Sequence, residues 1–324
     1  MKLTNLGPLK NVSRLTLGGG GLGRIWGETS IEEAVATVHA AVDAGITLID
    51  TAPMYRDCER VIAAAFGGQS STIVRVTTKY QLGAPPPGEV AQRLEASLKA
   101  SLDVMCVPQA EIYFLHSNIC PDGYVYARHP ERQTLFATPW RSYVNEVVPA
   151  MEGLKARGLI GAWGITGVGV PATILAALAH DPAPDVVQAV ANLLDSPGGM
   201  RNYAEPPRPR EIIAAAKARG VGVMGIRAVQ AGALTGAIDR DLSPNHPESG
   251  DFVLATPFRV LCDELGEEPA RIAHRYALAM DGVDTVILGV KNRAELADCV
   301  AAEAQGPLEA ELVARIDALG LRQS

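Results

Sequence analysis

Four residues in this chain, Asp50, Tyr55, Lys79 and His116, have the types needed to hand a proton to a reacting oxygen. They lie at or just past the ends of strand-like runs, in TLIDTAPMY, IVRVTTK and EIYFLH. Hydride reduction of a carbonyl leaves negative charge on oxygen, which a nearby acid must neutralise. A free tyrosine, with a pKa near 10, is a poor acid at neutral pH. A lysine ammonium beside it stabilises the phenolate and lowers that pKa, and a carboxylate beside the lysine fixes its position and charge. A histidine then orients the carbonyl or shares the proton. Tyr55, Lys79, Asp50 and His116 fill those roles in that order, with electrostatic stabilisation of the oxyanion as the main effect.

Taken singly, each residue has a bland reading: a helix cap, a loop aromatic, a solvated charge, a barrel-mouth imidazole. Their joint placement at successive strand ends makes the catalytic reading the stronger one.

The elements that would hold them alternate along the chain. Apolar strand-like runs occur near 14–18, 47–50, 73–79, 111–116, 161–166, 186–188, 221–226 and 284–289, with alanine-rich helical segments between them. Eight such units predict a (β/α)8 TIM barrel spanning residues 1–324 as one domain. Parallel strands then bring the four residues to one rim. Ser30 followed by Glu33 forms a capping box, and Gly45, Gly158 and Gly220 fit helix stops.

Two long loops leave the same rim, at 117–141 after the fourth strand and 228–251 after the seventh. Loops of that length inside a compact domain are often functional. Trp26, Met54, Tyr124, Tyr126 and Trp140 are therefore candidate substrate-pocket residues.

GGGGLG at 18–23 formally fits the dinucleotide fingerprint, and Asp43 lies downstream. That fingerprint needs a helix starting inside the motif. Here RIWGET intervenes before helical periodicity begins at Ser30, so the run is expected to be a flexible glycine loop approached by a ligand.

Composition narrows the class. The chain has 324 residues, 48% hydrophobic, with a net charge of −7 and no basic stripe, which argues against nucleic acid. No apolar run reaches membrane-spanning length, and the N-terminal residues lack the apolar segment of a signal peptide. Five scattered cysteines without C-x-x-C suit free thiols, and a cytoplasmic location is expected. Cys58, near Tyr55, reads as a buried, inert thiol. No metal is expected, because no His-x-His or carboxylate cluster marks a strand end.

LIDTAPMY, VTTK, YFLH, GAWGIT, VVQ and TVILGVKNRAEL, in this order, resemble the aldo-keto reductase family, over about residues 12–302. The resemblance implies a nicotinamide cofactor bound in extended form at the rim, with Tyr55 as general acid and His116 aligning the substrate. It implies that Thr166, Gly167 and Gln188 hold the carboxamide. Ile226 and Arg227, then Gly289, Lys291, Arg293 and Asp298, would hold the ring, phosphates and adenosine end.

Some positions depart from the family pattern. Thr166-Gly167 replaces a usual Ser-Asn, and Ile226 stands where a stacking tyrosine is common. RDCE follows Tyr55 where a glycine-serine-glutamate turn is more usual. Lys291 suits a 2′-phosphate, whereas Glu295 and Cys299 replace Arg or Gln and Asn. The expected cofactor is NADP(H) in preference to NAD(H). The partner is a small carbonyl or alcohol substrate: an aldehyde, ketone or sugar.

Two other classes stay open on the sequence. A non-catalytic, nicotinamide-binding regulatory subunit retains such residues. A barrel lyase would use Lys79 as a Schiff-base nucleophile, which requires a neutral amine that Asp50 disfavours.

Overall fold

A computed structural model of the chain describes residues 1–69 and 74–323. Eight parallel strands close into a barrel: β1 (Leu15–Gly18), β2 (Leu48–Asp50), β3 (Arg75–Tyr80), β4 (Ala110–Leu115), β5 (Ile160–Thr166), β6 (Val186–Val190), β7 (Gly222–Ile226) and β8 (Thr285–Leu288). Each strand pairs with its neighbours in sequence, and β8 closes onto β1 through Val286 opposite Leu15 and Leu288 opposite Leu17. All eight expected runs carry a strand. Ile73, read as the start of the third run, lies outside the described residues.

The strands are followed in turn by α1 (Ile31–Asp43), α2 (Cys58–Ala65), α3 (Val90–Met105), α4 (Val148–Ala156), α5 (Pro171–Ala179), α6 (Pro209–Ala218), α7 (Pro269–Ala279) and α8 (Arg293–Gln305). In α1, Ala34, Thr37, Val38 and Ala41 are buried, a spacing that lays one helical face on the barrel. Ser30 caps it, accepting from the Glu33 amide at 3.1 Å. The Glu33 carboxylate does not close the expected box; it bonds the backbone and guanidinium of Arg293.

Strand periodicity sorts the core into two layers. Ile49, Tyr113, Leu115, Trp163, Ile165, Val187 and Val223 point outward and pack under the helices. Leu48, Ile112, Phe114, Ala162, Val186 and Met224 point inward. An N-terminal hairpin, Leu3–Leu6 with Leu9–Ser13, adds Leu6, Leu9 and Val12 to this inner cluster. It plugs the lower mouth, with Gly7 backed against Asp185 and Gly222. Continuing the inward parity by two residues reaches Asp50, His116 and Gln188. The barrel therefore changes from apolar to polar as it approaches its C-terminal mouth.

The 117–141 loop is organised. Asn118–Cys120 pairs in parallel with Ala137–Pro139, over a small cluster that includes Tyr126, Val168, Val190 and Tyr203. Among the described residues, no helix is long and apolar enough to cross a membrane.

Candidate active site

Asp50 is the centre of the barrel mouth. Its Oδ2 accepts from Lys79 Nζ at 2.6 Å, and its Oδ1 accepts from Thr77 Oγ1 and Gln188 Nε2, each at 2.7 Å. Lys79, wholly buried, donates further to the Thr51 carbonyl at 3.0 Å and to the Tyr55 hydroxyl at 3.4 Å. The ammonium also sits 4.7 Å from the Tyr55 ring centre, and the His116 ring meets Tyr55 edge-on at 5.9 Å. The four residues thus meet in one place. Each contact follows from strand position: Asp50 and Thr77 face each other across the β2–β3 ladder, and Lys79 lies two residues beyond Thr77.

Electrostatics fix the protonation states. Burial opposes the Lys79 charge, but the Asp50 carboxylate and Tyr55, through their charges and hydrogen bonds together, outweigh it and raise the pKa above the ordinary lysine value. Lys79 is therefore a charged ammonium, not the neutral amine a Schiff base needs. For Tyr55 the balance differs from the sequence expectation. Burial raises its pKa more than Lys79 lowers it, so the free protein holds a protonated phenol. His116 is pushed down to about 3 by burial and by the Lys79 charge, and stays neutral. Its buried Nδ1 has no hydrogen-bond partner. An orphaned acceptor is cheaper than an orphaned donor, which assigns the ring proton to Nε2. Cys58, buried against the Gly19 backbone, is pushed up to about 12 by burial, as an inert thiol should be.

Above this floor lies a cavity of ≈ 380 Å³, a size suited to a small ligand or part of a cofactor. Asp50, Tyr55, His116, Trp26, Thr166, Gln188, Ile226, Arg227, Gly289 and Lys291 all line it. So do Gly18–Gly20, Met200, Asp239, Arg240, His274 and Glu295. The glycine run is not a flexible loop. Gly19–Leu22 forms a buried helical turn, and its glycines are demanded by the protein itself. A Cβ on Gly21 would stand 1.9 Å from the Val290 carbonyl, and one on Gly23 1.8 Å from that of Tyr55.

The residues assigned to the carboxamide are arranged unevenly. Gln188 spends its amide nitrogen on Asp50, leaving its carbonyl as an acceptor, and Thr166 donates to the Leu115 carbonyl at 3.2 Å. Gly167 turns its amide to the Gln188 backbone oxygen at 2.7 Å and has no side chain to offer. Ile226 presents an aliphatic surface. Arg227, held at a φ of 61°, is buried against Glu248 at 2.5 Å and bonds Gln230 at 2.8 Å.

Other predicted residues stand elsewhere. Asp298 is 75% exposed, facing Arg271, and Arg293 is held by Glu33. Tyr124 and Tyr126 serve the loop fold, bonding Glu205 at 2.7 Å and Asn118 at 2.8 Å. Trp140 packs on Tyr143 and His180, and Met54 is exposed. Thr77 was legible in principle, because strand parity places it beside Asp50. Asp239 and Arg240 sit in a loop with no periodicity, and nothing in the sequence marks them.

The closed barrel places the chain in the (β/α)8 class, with the enclosed phenol–ammonium–carboxylate cluster at its C-terminal face, where barrel enzymes carry their sites. Comparison with known proteins names the family. The profile of the aldo/keto reductase family matches residues 14–320, and the chain belongs to that family of nicotinamide-using oxidoreductases. It is 23% identical over 320 residues to L-galactose dehydrogenase of Arabidopsis thaliana, covering 96% of this chain and 88% of that one. It is 28% identical over 136 residues to methylglyoxal reductase YeaE of Escherichia coli K12, covering 41% and 39%. Its fold is similar to that of aldo-keto reductase AKR11C1 from Bacillus halodurans in the holo form. The TM-score is 0.70 with 22% identity, over 98% of this chain and 96% of that one.

Proposed function

We propose that this protein interconverts a small carbonyl compound and its alcohol, with Tyr55 as the proton donor and acceptor. The observation that carries this reading is the Lys79 ammonium, held at 2.6 Å from Asp50 and 3.4 Å from the Tyr55 hydroxyl at the floor of an open cavity.

The chain fits a nicotinamide dinucleotide. The cavity is lined by Tyr55 and by Gln188, whose free carbonyl suits a carboxamide, and also by Arg227, Arg240 and Lys291. The nicotinamide, when bound, supplies or accepts the hydride. In reduction, His116 directs its Nε2–H at the substrate oxygen, and Tyr55 passes its proton to that oxygen as charge builds there. The phenolate left behind is stabilised by Lys79, whose charge and position are fixed by Asp50. Thr77 and Gln188 hold Asp50 from the other side. In oxidation the same phenolate takes the alcohol proton.

The choice between NADP(H) and NAD(H) rests on Lys291, Arg293 and the carboxylates bound to them. The names of the two relatives point the substrate search at aldose sugars and short α-oxoaldehydes. The test is a titration with each reduced dinucleotide, then turnover on a panel of aldehydes, ketones and sugars in both directions. Turnover that vanishes in Tyr55→Phe supports the proposal. Tight dinucleotide binding with no turnover anywhere would move the protein to the regulatory-subunit class.

A further inference from the structure

The far end of the cavity, around Lys291, is already charge-balanced by the protein itself. Lys291 Nζ is ion-paired to Asp239 and lies 3.1 Å from Glu295. Arg240, whose guanidinium bonds the Ala231 carbonyl at 2.7 Å, lies 3.7 Å from the same Asp239. Arg293 is held by Glu33 at 2.8 Å. Three cations face three carboxylates.

The backbone here is equally occupied. The N-terminal amides of a helix form a natural phosphate site. Around the start of α8, the Lys291 amide donates to Glu295 Oε2 at 2.9 Å, the Arg293 amide to Glu33 Oε1 at 2.9 Å, and the Glu295 amide to Asn292 Oδ1 at 2.9 Å. Resident oxygens fill the positions an incoming phosphate oxygen would take.

We infer that the adenosine end of this cleft selects a bare ribose diol, and so NAD(H) over NADP(H). The inference rests on the nicotinamide reading and reverses the preference that Lys291 suggests in sequence. A 2′-phosphate carries about −1.5 to −2 charges near neutral pH. To bind, it must displace Asp239 and Glu295 from Lys291, or lie beside them unneutralised. A ribose diol instead donates hydrogen bonds to carboxylates, the role an acidic residue plays toward a 2′-hydroxyl in other dinucleotide sites. Asp239 and Glu295, both on the cavity wall, are the specificity-determining residues.

Binding of NADH and NADPH to the full chain, followed by isothermal titration calorimetry, tests this without any substrate. NADH is expected to bind at least tenfold more tightly. The double variant Asp239→Asn/Glu295→Gln frees Lys291 and is expected to narrow that ratio at least tenfold by strengthening NADPH. Circular dichroism melting checks that the variant is folded. Competition by 5′-AMP against 2′,5′-ADP isolates the adenosine end, with 5′-AMP expected to win in the unaltered protein. Tighter NADPH in the unaltered protein, or a ratio unmoved in the folded variant, overturns the selectivity and leaves the oxidoreductase reading standing. Binding of neither dinucleotide removes both.

Discussion

Two lysines, one sealed beneath the cavity and one on its wall, are both paired with carboxylates, yet they belong to different physical regimes. Lys79 is fully enclosed, bonded to Asp50, and its partner is braced by Thr77 and Gln188. Lys291 stands at the rim between Asp239, which is 47% exposed, and Glu295, which is 38% exposed. The inner pair grows from barrel strands, so ladder register sets its geometry. The outer pair joins a loop to the turn before α8. Enclosure makes the first pair a fixed source of field for Tyr55. Water access makes the second a charge balance that a ligand can renegotiate.

Breaking each pair measures that difference. Lys79→Met leaves the Asp50 charge buried with neutral donors only, and is expected to cost about 3–5 kcal/mol in urea unfolding as well as turnover. A loss below about 1 kcal/mol would place both lysines in the same regime. Tyr55→Phe keeps the inner pair and removes the proton, so kcat is expected to fall by about 10³-fold while dinucleotide affinity stays within about threefold.

The enclosure of the mouth, and with it the charge of Lys79, can also be read through His116. Burial, with the Lys79 charge, pushes the His116 pKa down from 6.5 to about 3, so between these values the unfolded chain binds more protons. The His116 contribution to stability is complete above pH 6.5 and is lost as pH falls toward 3. Relative to His116→Gln, the native protein is expected to lose about 1.4 kcal/mol per pH unit below 6.5. A parallel pH dependence in both proteins would show an ordinary, solvated imidazole.

At the rim, Lys291→Met is expected to cost no more than about 1 kcal/mol of stability, the range of an accessible ion pair. Tyr126→Phe, which removes one loop hydrogen bond, belongs to the same scale and leaves kcat unchanged.

The legibility of the chain followed the same divide. Strand runs and their parity are local, so the barrel and the meeting of Asp50, Lys79 and His116 could be read directly. In sequence the aromatic residues of 117–141 suggest pocket lining, because a loop gives no parity to say which side faces inward. In fact Tyr124 and Tyr126 hold the loop to Glu205 and Asn118. The glycine run suggests a flexible loop in sequence because the neighbours that demand it, Val290 and Tyr55, are distant along the chain.

The amino-acid order alone determined the eightfold alternation and the residue types delivered to one mouth, since a period of two residues carries each side chain to a known face. Tertiary structure decided what those side chains meet. It turned the Gln188 amide toward Asp50, raised the Tyr55 pKa by enclosing it, and brought Asp239 and Glu33 to the cations near α8. Those outcomes depend on distance and dielectric between segments far apart in the chain, which no local pattern encodes.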